Sequence, residues 1–175
     1  MKFKEIPQLI TDGDYEVAVH LGHTESTIQS YIEDYGLELN PDFQRGHVWT
    51  EQQQIAYVEF MLRGGKTSRV IYFNCYNFRN GTATQPIVCV DGLQRLTAIR
   101  KFLNNEIKVF GCCIDEFEDK KEMLRGVYIK FNINELPTKK DVLKWYLQMN
   151  TGGTPHSKEE IDRVKSILER ENGYE

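Results

Sequence analysis

Apolar residues recur along the chain in two rhythms, one of period two and one near 3.6 residues. Period-two or continuous apolar runs predict strands, and apolar residues spaced three and four apart predict helices. The predicted strands are 15–21, 70–76, 86–90, 107–113 and 127–133. The predicted helices are 24–36, 50–62, 93–103, 115–126, 139–149 and one that begins at Ser157. Because strands and helices do not alternate strictly, the pattern favours an α+β fold.

Several predicted helices carry start signals. Thr50 followed by Gln53 matches a capping box, as does Ser157 followed by Glu160. The other expected N-caps are Thr24, Asp115 and Thr138. Asn80-Gly81 is a turn signal between strands 70–76 and 86–90, so these two strands are expected to be neighbours.

The junction between strand 86–90 and helix 93–103 is the first candidate for chemistry. Gly92 allows a sharp turn, and the free N–H groups of the following helix favour an anion. Gln94 and Arg95 lie in the first helical turn, and a guanidinium matches phosphate oxygens. Asp91 could orient Arg95, hold a water molecule, or face a Mg²⁺ ion carried by a phosphate. Because Asp-Gly turns are common, a structural turn followed by a surface arginine remains an alternative.

Two further segments could also contact an anion. Gln44 and Arg45 stand between two large aromatic residues, Phe43 and Trp49. An arginine in that position is either clamped for phosphate binding or stacked on a ring. The loop 150–154 contains a glycine pair whose backbone N–H groups could converge on an anion, although it could equally be a plain linker between helices.

Composition limits the classes of function. The chain has 175 residues, 40% of them hydrophobic and 27% charged, as expected of one soluble globular domain. The formal net charge of -4 excludes a wholly basic nucleic-acid platform, so any phosphate contact must come from a local cluster. No apolar run is long enough for a membrane span or a signal peptide, so no membrane partner is expected. The four cysteines have no metal or disulfide spacing, which indicates a reducing cytoplasm and no metal ligated by the protein alone.

Three segments, in order along the chain, resemble a known family. They are PDFQRGHVW, VDGLQRLTAI and NTGGTPHSKEE. Together they resemble the DGQQR-motif domain of the ParB/sulfiredoxin-like superfamily, as found at the N-terminus of GmrSD-type (type IV) restriction proteins and in SspE-like defence proteins. The resemblance runs from about residue 39 to 160. The chain departs from the motif at Leu93, and because no cysteine occurs in 91–95, sulfiredoxin chemistry is not expected.

The resemblance implies a small mixed sheet with surrounding helices, in a single domain over 1–175, that binds a nucleoside triphosphate. By position in the motifs, the expected catalytic residues are Asp91, Gln94 and Arg95. The expected phosphate-binding residues are Gln44, Arg45, Gly92, Arg95, Asn150 and Gly153. Mg²⁺ is expected to arrive with the nucleotide and bridge its phosphates.

The resemblance further implies hydrolysis of the nucleotide, coupled to DNA cleavage or nicking in a bacterial or phage restriction conflict. The chain is expected to be a stand-alone copy without the HNH nuclease domain of the large restriction proteins. The alternative is a non-catalytic module that senses a nucleotide or blocks a partner, as an accessory or antagonist of a defence system. The expected partners are therefore a nucleoside triphosphate, DNA and a defence-system protein. The expected location is the cytoplasm of a bacterial cell, with the gene belonging to the host or to a phage.

Overall fold

The computed structural model describes residues 5–6, 9–44, 46, 48–83, 85–151 and 158–172. The strands are β1 (Tyr15–His20), β2 (Val70–Asn74), β3 (Val88–Asp91) and β4 (Tyr128–Asn134). The helices are α1 (Thr24–Tyr35), α2 (Glu51–Leu62), α3 (Leu93–Leu103), α4 (Lys120–Gly126), α5 (Lys139–Thr151) and α6 (Lys158–Asn172). Within these ranges, no helix combines the length and the apolar character needed to cross a membrane.

The four strands form one mixed sheet in the order β1-β4-β2-β3. β1 is antiparallel to β4, β4 is parallel to β2, and β2 is antiparallel to β3. The predicted neighbourhood of 70–76 and 86–90 is therefore confirmed as the β2–β3 pair. A mixed sheet surrounded by helices also confirms the α+β class.

The two faces of the sheet carry different cores. On one face, Ile71 and Phe73 of β2 are fully buried, and the surrounding helices contribute Ile28, Val58 and Ile99. Side chains alternate between the faces of a strand, so the residue between the first two points to the opposite side. This first core is built mainly from α1, α2 and α3.

The opposite face carries a smaller core, supplied by α5 and α6. Tyr72 of β2 and Val90 of β3 pack there with Trp145, Tyr146 and Val164. The ring centroids of Tyr72 and Trp145 lie 5.9 Å apart in an edge-to-face arrangement. The sheet is thus the middle layer between two helical layers.

The predicted strand 107–113 is wrong. In its place is a tight turn in which Val109 and Cys112 exchange backbone hydrogen bonds of 2.9 and 3.1 Å. The two residues between them, Phe110 and Gly111, have φ angles of 51° and 79°, as in hairpin turns of the type I′ family. The apolar run was misread because Ile107 and Val109 are buried in the first core as anchors of a turn, without a neighbouring strand.

Two predicted helix starts are also wrong, whereas that at Thr50 is confirmed by a complete capping box with Gln53. Thr24 is buried as the first residue of α1, and the N-cap position falls to His23. Asp115 lies in the 3-10 turn Ile114–Glu116, where its carboxylate is bound by side chains rather than by a helix start. The expected cap at Ser157 lies outside the described residues.

Gly92 joins β3 to α3 with a φ of 106°, and it is buried against β2. A Cβ at this position would lie 2.7 Å from Cδ1 of Ile71 and 3.2 Å from its Cα. Both the backbone conformation and the packing therefore require glycine here. The close contact determines where α3 begins relative to the sheet.

We expect Gly92→Ala to lower the free energy of unfolding by about 3 kcal/mol, because a positive φ and an overpacked contact add their costs. Gly111→Ala is the matched control, since Gly111 has a φ of 79° and no atom within 4 Å of the added Cβ. The control should cost only about 1 kcal/mol. Urea unfolding measures both variants, and equal costs would show that the contact with Ile71 does not constrain the junction.

Candidate functional site

A β-bulge directs Asp91 toward the second core. Tyr72 pairs with Asp91 whereas the next residue of β2, Phe73, pairs with Cys89, so Val90 is the extra residue on β3. Residues that are directly opposite in an antiparallel pair point to the same face. Asp91 therefore shares the face of Tyr72, whereas strict alternation along β3 would have placed it on the face of Cys89.

Asp91 and Arg95 form an ion pair across the first turn of α3, between Oδ2 and Nη2. The guanidinium also donates from Nη1 to the carbonyl oxygen of Val70 at 2.8 Å. The Arg95 side chain is 14% exposed and that of Asp91 36%, so the carboxylate is the more accessible member. Of the three roles open to Asp91 in the sequence, the structure shows the first, which is to orient Arg95.

Gln94 holds the chain that precedes α2. Its Oε1 accepts hydrogen bonds from the backbone N–H groups of Val48 and Trp49 at 2.9 and 3.1 Å. Its Nε2 donates to the carbonyl oxygen of Gly46 at 3.1 Å. Both acceptor positions of the amide oxygen are therefore in use within the protein.

Gln44 completes the outer edge of the sheet. β3 is an edge strand, and Nε2 of Gln44 donates to the carbonyl oxygens of Cys89 and Val90 at 3.0 and 2.7 Å. An edge strand presents backbone groups that need partners, and one amide serves two of them here. Gln44 therefore lies directly beside the residues that lead into Asp91.

The segment 41–50 connects the two cores across the end of β3. Phe43 is buried in the second core with its ring 5.4 Å from that of Tyr146. Trp49 packs on Tyr57 beside the first core, with 5.5 Å between the ring centroids. The two aromatic residues thus belong to different cores instead of forming one clamp. Arg45, which lies between them in sequence, is outside the described residues, and its expected contact with phosphate stays a prediction.

Asn150 lies in the last turn of α5. Its Nδ2 donates to the carbonyl oxygen of Tyr146 at 2.7 Å, one turn earlier in the helix. Because Tyr146 contacts Phe43, Asn150 follows the part of α5 that packs on segment 41–50. Gly153 lies outside the described residues, and its expected contact with phosphate stays a prediction.

Tyr72 and Asp12 were missed by the sequence reasoning. Burial raises the pKa of Tyr72, the carboxylates of Asp12 and Asp91 raise it further, and Arg95 opposes them. The phenol also forms a hydrogen bond with Asp12. Because side chains alternate along β2, Tyr72 points to the face opposite that of Ile71, and this alternation could have identified Tyr72 from the sequence. Asp12 lies in an irregular segment and carries no comparable signal.

The carboxylates of Asp91 and Asp12 could help to hold a metal ion only if a bound ligand supplied most of the other coordinating atoms. In the part of the chain that is described, no group of three His, Cys, Asp or Glu side chains is placed to hold a metal ion. Mg²⁺ in nucleotide sites is commonly held by one or two carboxylates together with phosphates. Asp91 is accessible enough to serve as one such ligand, whereas Asp12 is bound to Tyr72.

Fold and site together define an α+β domain with an Asp-Gly-Leu-Gln-Arg turn at the end of an edge strand. Residues 25–167 match the family described as the N-terminal domain of the GmrSD restriction endonuclease, and the chain belongs to this family. Membership implies a role related to restriction or defence. No curated protein and no solved structure matches the chain.

We expect Gln44→Ala to lower the free energy of unfolding by about 1 to 3 kcal/mol, because two carbonyl groups of β3 lose their donor. Gln44→Glu should cost more, since carboxylate oxygens would face carbonyl oxygens. Gln29→Ala is the control, because Gln29 is exposed and its side chain bonds to Glu33, one turn further along the same helix. Thermal and urea unfolding measure the difference, and a Gln44→Glu variant as stable as the wild type would contradict the proposed edge role.

Removing the Gln94 amide should free the backbone of segment 46–49. In Gln94→Ala, hydrogen exchange at the amides of Val48 and Trp49 should accelerate about fivefold, since each loses a bond worth about 1 kcal/mol. Gln94→Glu keeps an acceptor oxygen and should retain most of the protection. Exchange measured by NMR decides this, and unchanged protection in both variants would show that other contacts hold the segment.

Proposed function

We propose that the Asp91–Arg95 turn binds the phosphates of a nucleoside triphosphate and that the domain hydrolyses it. The observation that carries the proposal is the start of α3. Its N-cap is Gly92, which has no side chain to cap the first N–H groups. Arg95 is held beside this start by Asp91 and Val70. Uncapped N–H groups and an oriented guanidinium are the groups that phosphate oxygens require.

Binding must overcome the position of Asp91. Because its carboxylate is more exposed than Arg95, an incoming phosphate meets a negative charge before it meets the guanidinium. Mg²⁺ that arrives with the nucleotide would neutralise this charge, with Asp91 as its protein ligand. Arg95 would then be free to turn its guanidinium from the carboxylate to the phosphates, which can accept two parallel hydrogen bonds from it.

Hydrolysis would also require Gln94 to change partners. A residue that orients an attacking water needs a free acceptor, and Oε1 of Gln94 already accepts from Val48 and Trp49. We propose that nucleotide binding releases segment 46–49 from Gln94, which exposes the amide oxygen for water. Arg45 directly precedes this segment in the chain and is proposed to contact the phosphates, as are Asn150 and Gly153.

The occupied state of these groups favours a second candidate function. Asp91 and Gln94 are both engaged inside the protein, as in a site that binds without turnover. In that reading the domain senses a nucleotide or blocks a partner of a defence system. Both readings agree with the family and differ only in whether the bound nucleotide is cleaved.

DNA cleavage or nicking belongs to the proposal as the activity that hydrolysis would drive. It is supported by the family, which is named for a restriction endonuclease. The same family membership supports a cytoplasmic location in bacteria, where invading DNA would be met, whether the gene is the cell's own or a phage's.

Titration calorimetry with a panel of ribo- and deoxyribonucleoside triphosphates in Mg²⁺ tests the binding step. Arg95→Ala should weaken binding about 10- to 100-fold, because charge-assisted hydrogen bonds contribute about 1.5 to 3 kcal/mol. The matched control is Arg100→Ala on the same helix, since Arg100 pairs with Glu25 of α1 instead. Asp91→Asn should remove most of the dependence of binding on Mg²⁺.

Phosphate release measured on the same variants separates the two functions. Turnover that is lost in Arg95→Ala and Gln94→Ala, with unchanged circular dichroism, supports hydrolysis. Binding without turnover supports the sensing module. If the wild-type protein binds no triphosphate, or if Arg95→Ala and Arg100→Ala bind equally well, the proposed site is wrong.

A further inference from the structure

A pocket lies at the opposite edge of the sheet from Asp91. β1 forms that edge, and the pocket lies where β1 ends and α4 passes. Its volume is about 480 Å³. It is lined by His20, Gly22, His23, Lys121, Leu124 and Arg125. Basic side chains thus dominate the lining, and none of these residues is acidic, in a protein whose formal net charge is -4.

The basic side chains come from separate elements held in a fixed arrangement. Lys121 and Arg125 are four residues apart and therefore lie on the same face of α4. His20 ends β1. His23 ends the 3-10 turn that follows, and the first residue of that turn, Leu21, donates its N–H to the carbonyl oxygen of Val127 at 3.0 Å. This bond ties the turn to the end of α4.

The turn and α4 lie against each other at the pocket, where Gly22 and Leu124 both contribute to the lining. A Cβ added to Gly22 would lie 3.4 Å from Cβ of Leu124, at ordinary contact distance. The pocket is therefore a consequence of how the turn packs on α4, and it does not depend on flexible surface side chains alone.

Two carboxylates on elements that adjoin the pocket form ion pairs with cations outside it. Glu25 pairs with Arg100 at 2.8 Å and Glu16 pairs with Lys130 at 2.6 Å. Glu122 follows Lys121 directly and so lies about 100° around the helix from it. It is three residues before Arg125 on α4, but no salt bridge joins the two among the described residues. Among the described residues, no salt bridge joins Lys121 to a carboxylate.

The other member of the α4 pair, Arg125, is exposed and likewise has no salt bridge within the described ranges. The guanidinium of Arg125 and the ammonium group of Lys121 are permanent cations, and two imidazoles flank them. These groups provide hydrogen-bond donors for phosphate oxygens. We propose that this pocket binds phosphate groups, presented either by a nucleic-acid strand or by a free nucleotide. The site is separate from the Asp91–Arg95 turn and does not depend on hydrolysis there.

NMR of the imidazole groups tests the shared chemistry with inorganic phosphate as the probe. Phosphate added at constant ionic strength, balanced with chloride, should shift the signals of His20 and His23. Lys121→Glu with Arg125→Glu should abolish the shift. Lys66→Glu with Lys165→Glu is the matched control, because it makes the same change of net charge at two exposed lysines elsewhere. Should the first pair unfold the protein, Lys121→Gln with Arg125→Gln makes the same test.

Two further titrations identify the source of the phosphate. Short duplex DNA, followed by fluorescence anisotropy, should bind at least about tenfold more weakly to Lys121→Glu/Arg125→Glu, with a salt slope lower by about two, if a strand is the ligand. A nucleoside triphosphate, added to the Arg95→Ala variant, should shift the same imidazole signals if a free nucleotide is the ligand. The proposal is overturned if phosphate leaves His20 and His23 unmoved, or if the two charge-reversal pairs behave alike.

Discussion

The close approach of Gly92 to Ile71 is the contact on which the arrangement of the site depends. It brings the first turn of α3 down onto β2, so that the Arg95 guanidinium reaches the carbonyl oxygen of Val70. A longer connection would lift the helix start away from the sheet and separate Arg95 from Asp91. One missing side chain thus allows a helix terminus, an arginine and a carboxylate to share the end of an edge strand.

The polar residues around this turn have structural duties that local sequence does not reveal. Gln44 supplies donors to the edge of β3, and Gln94 supplies acceptors to the chain before α2. Each bond contributes only modestly to stability, but its loss would leave buried or half-buried backbone groups without a partner, which costs more. Residues with a candidate role in binding are therefore also part of what holds the fold together, so a loss of activity on mutation must be compared with stability.

Much of the architecture could be read from the sequence because its signals are local. The capping box at Thr50, the β2–β3 pair and the strand-to-helix junction at Asp91-Gly92 follow from residues close together in the chain. The failures at 107–113 and at Asp115 arose where apolar or capping residues serve a turn instead of a regular element. The bonds of Gln44 and Gln94 join residues more than forty positions apart, and no local pattern encodes such partners. The β-bulge that turns Asp91 is likewise visible only once β2 is paired.

The segment 41–50 has a mechanical consequence. Its first half is anchored by Phe43 in one core, and its second half by Trp49 beside the other. The two helical layers lie on opposite sides of the sheet, and this segment is a strap between them that passes the outer edge of β3. A displacement of the strap would therefore change the packing in both helical layers at once. Events at the first turn of α3 are in this way coupled through the strap to α5, on the far side of the sheet.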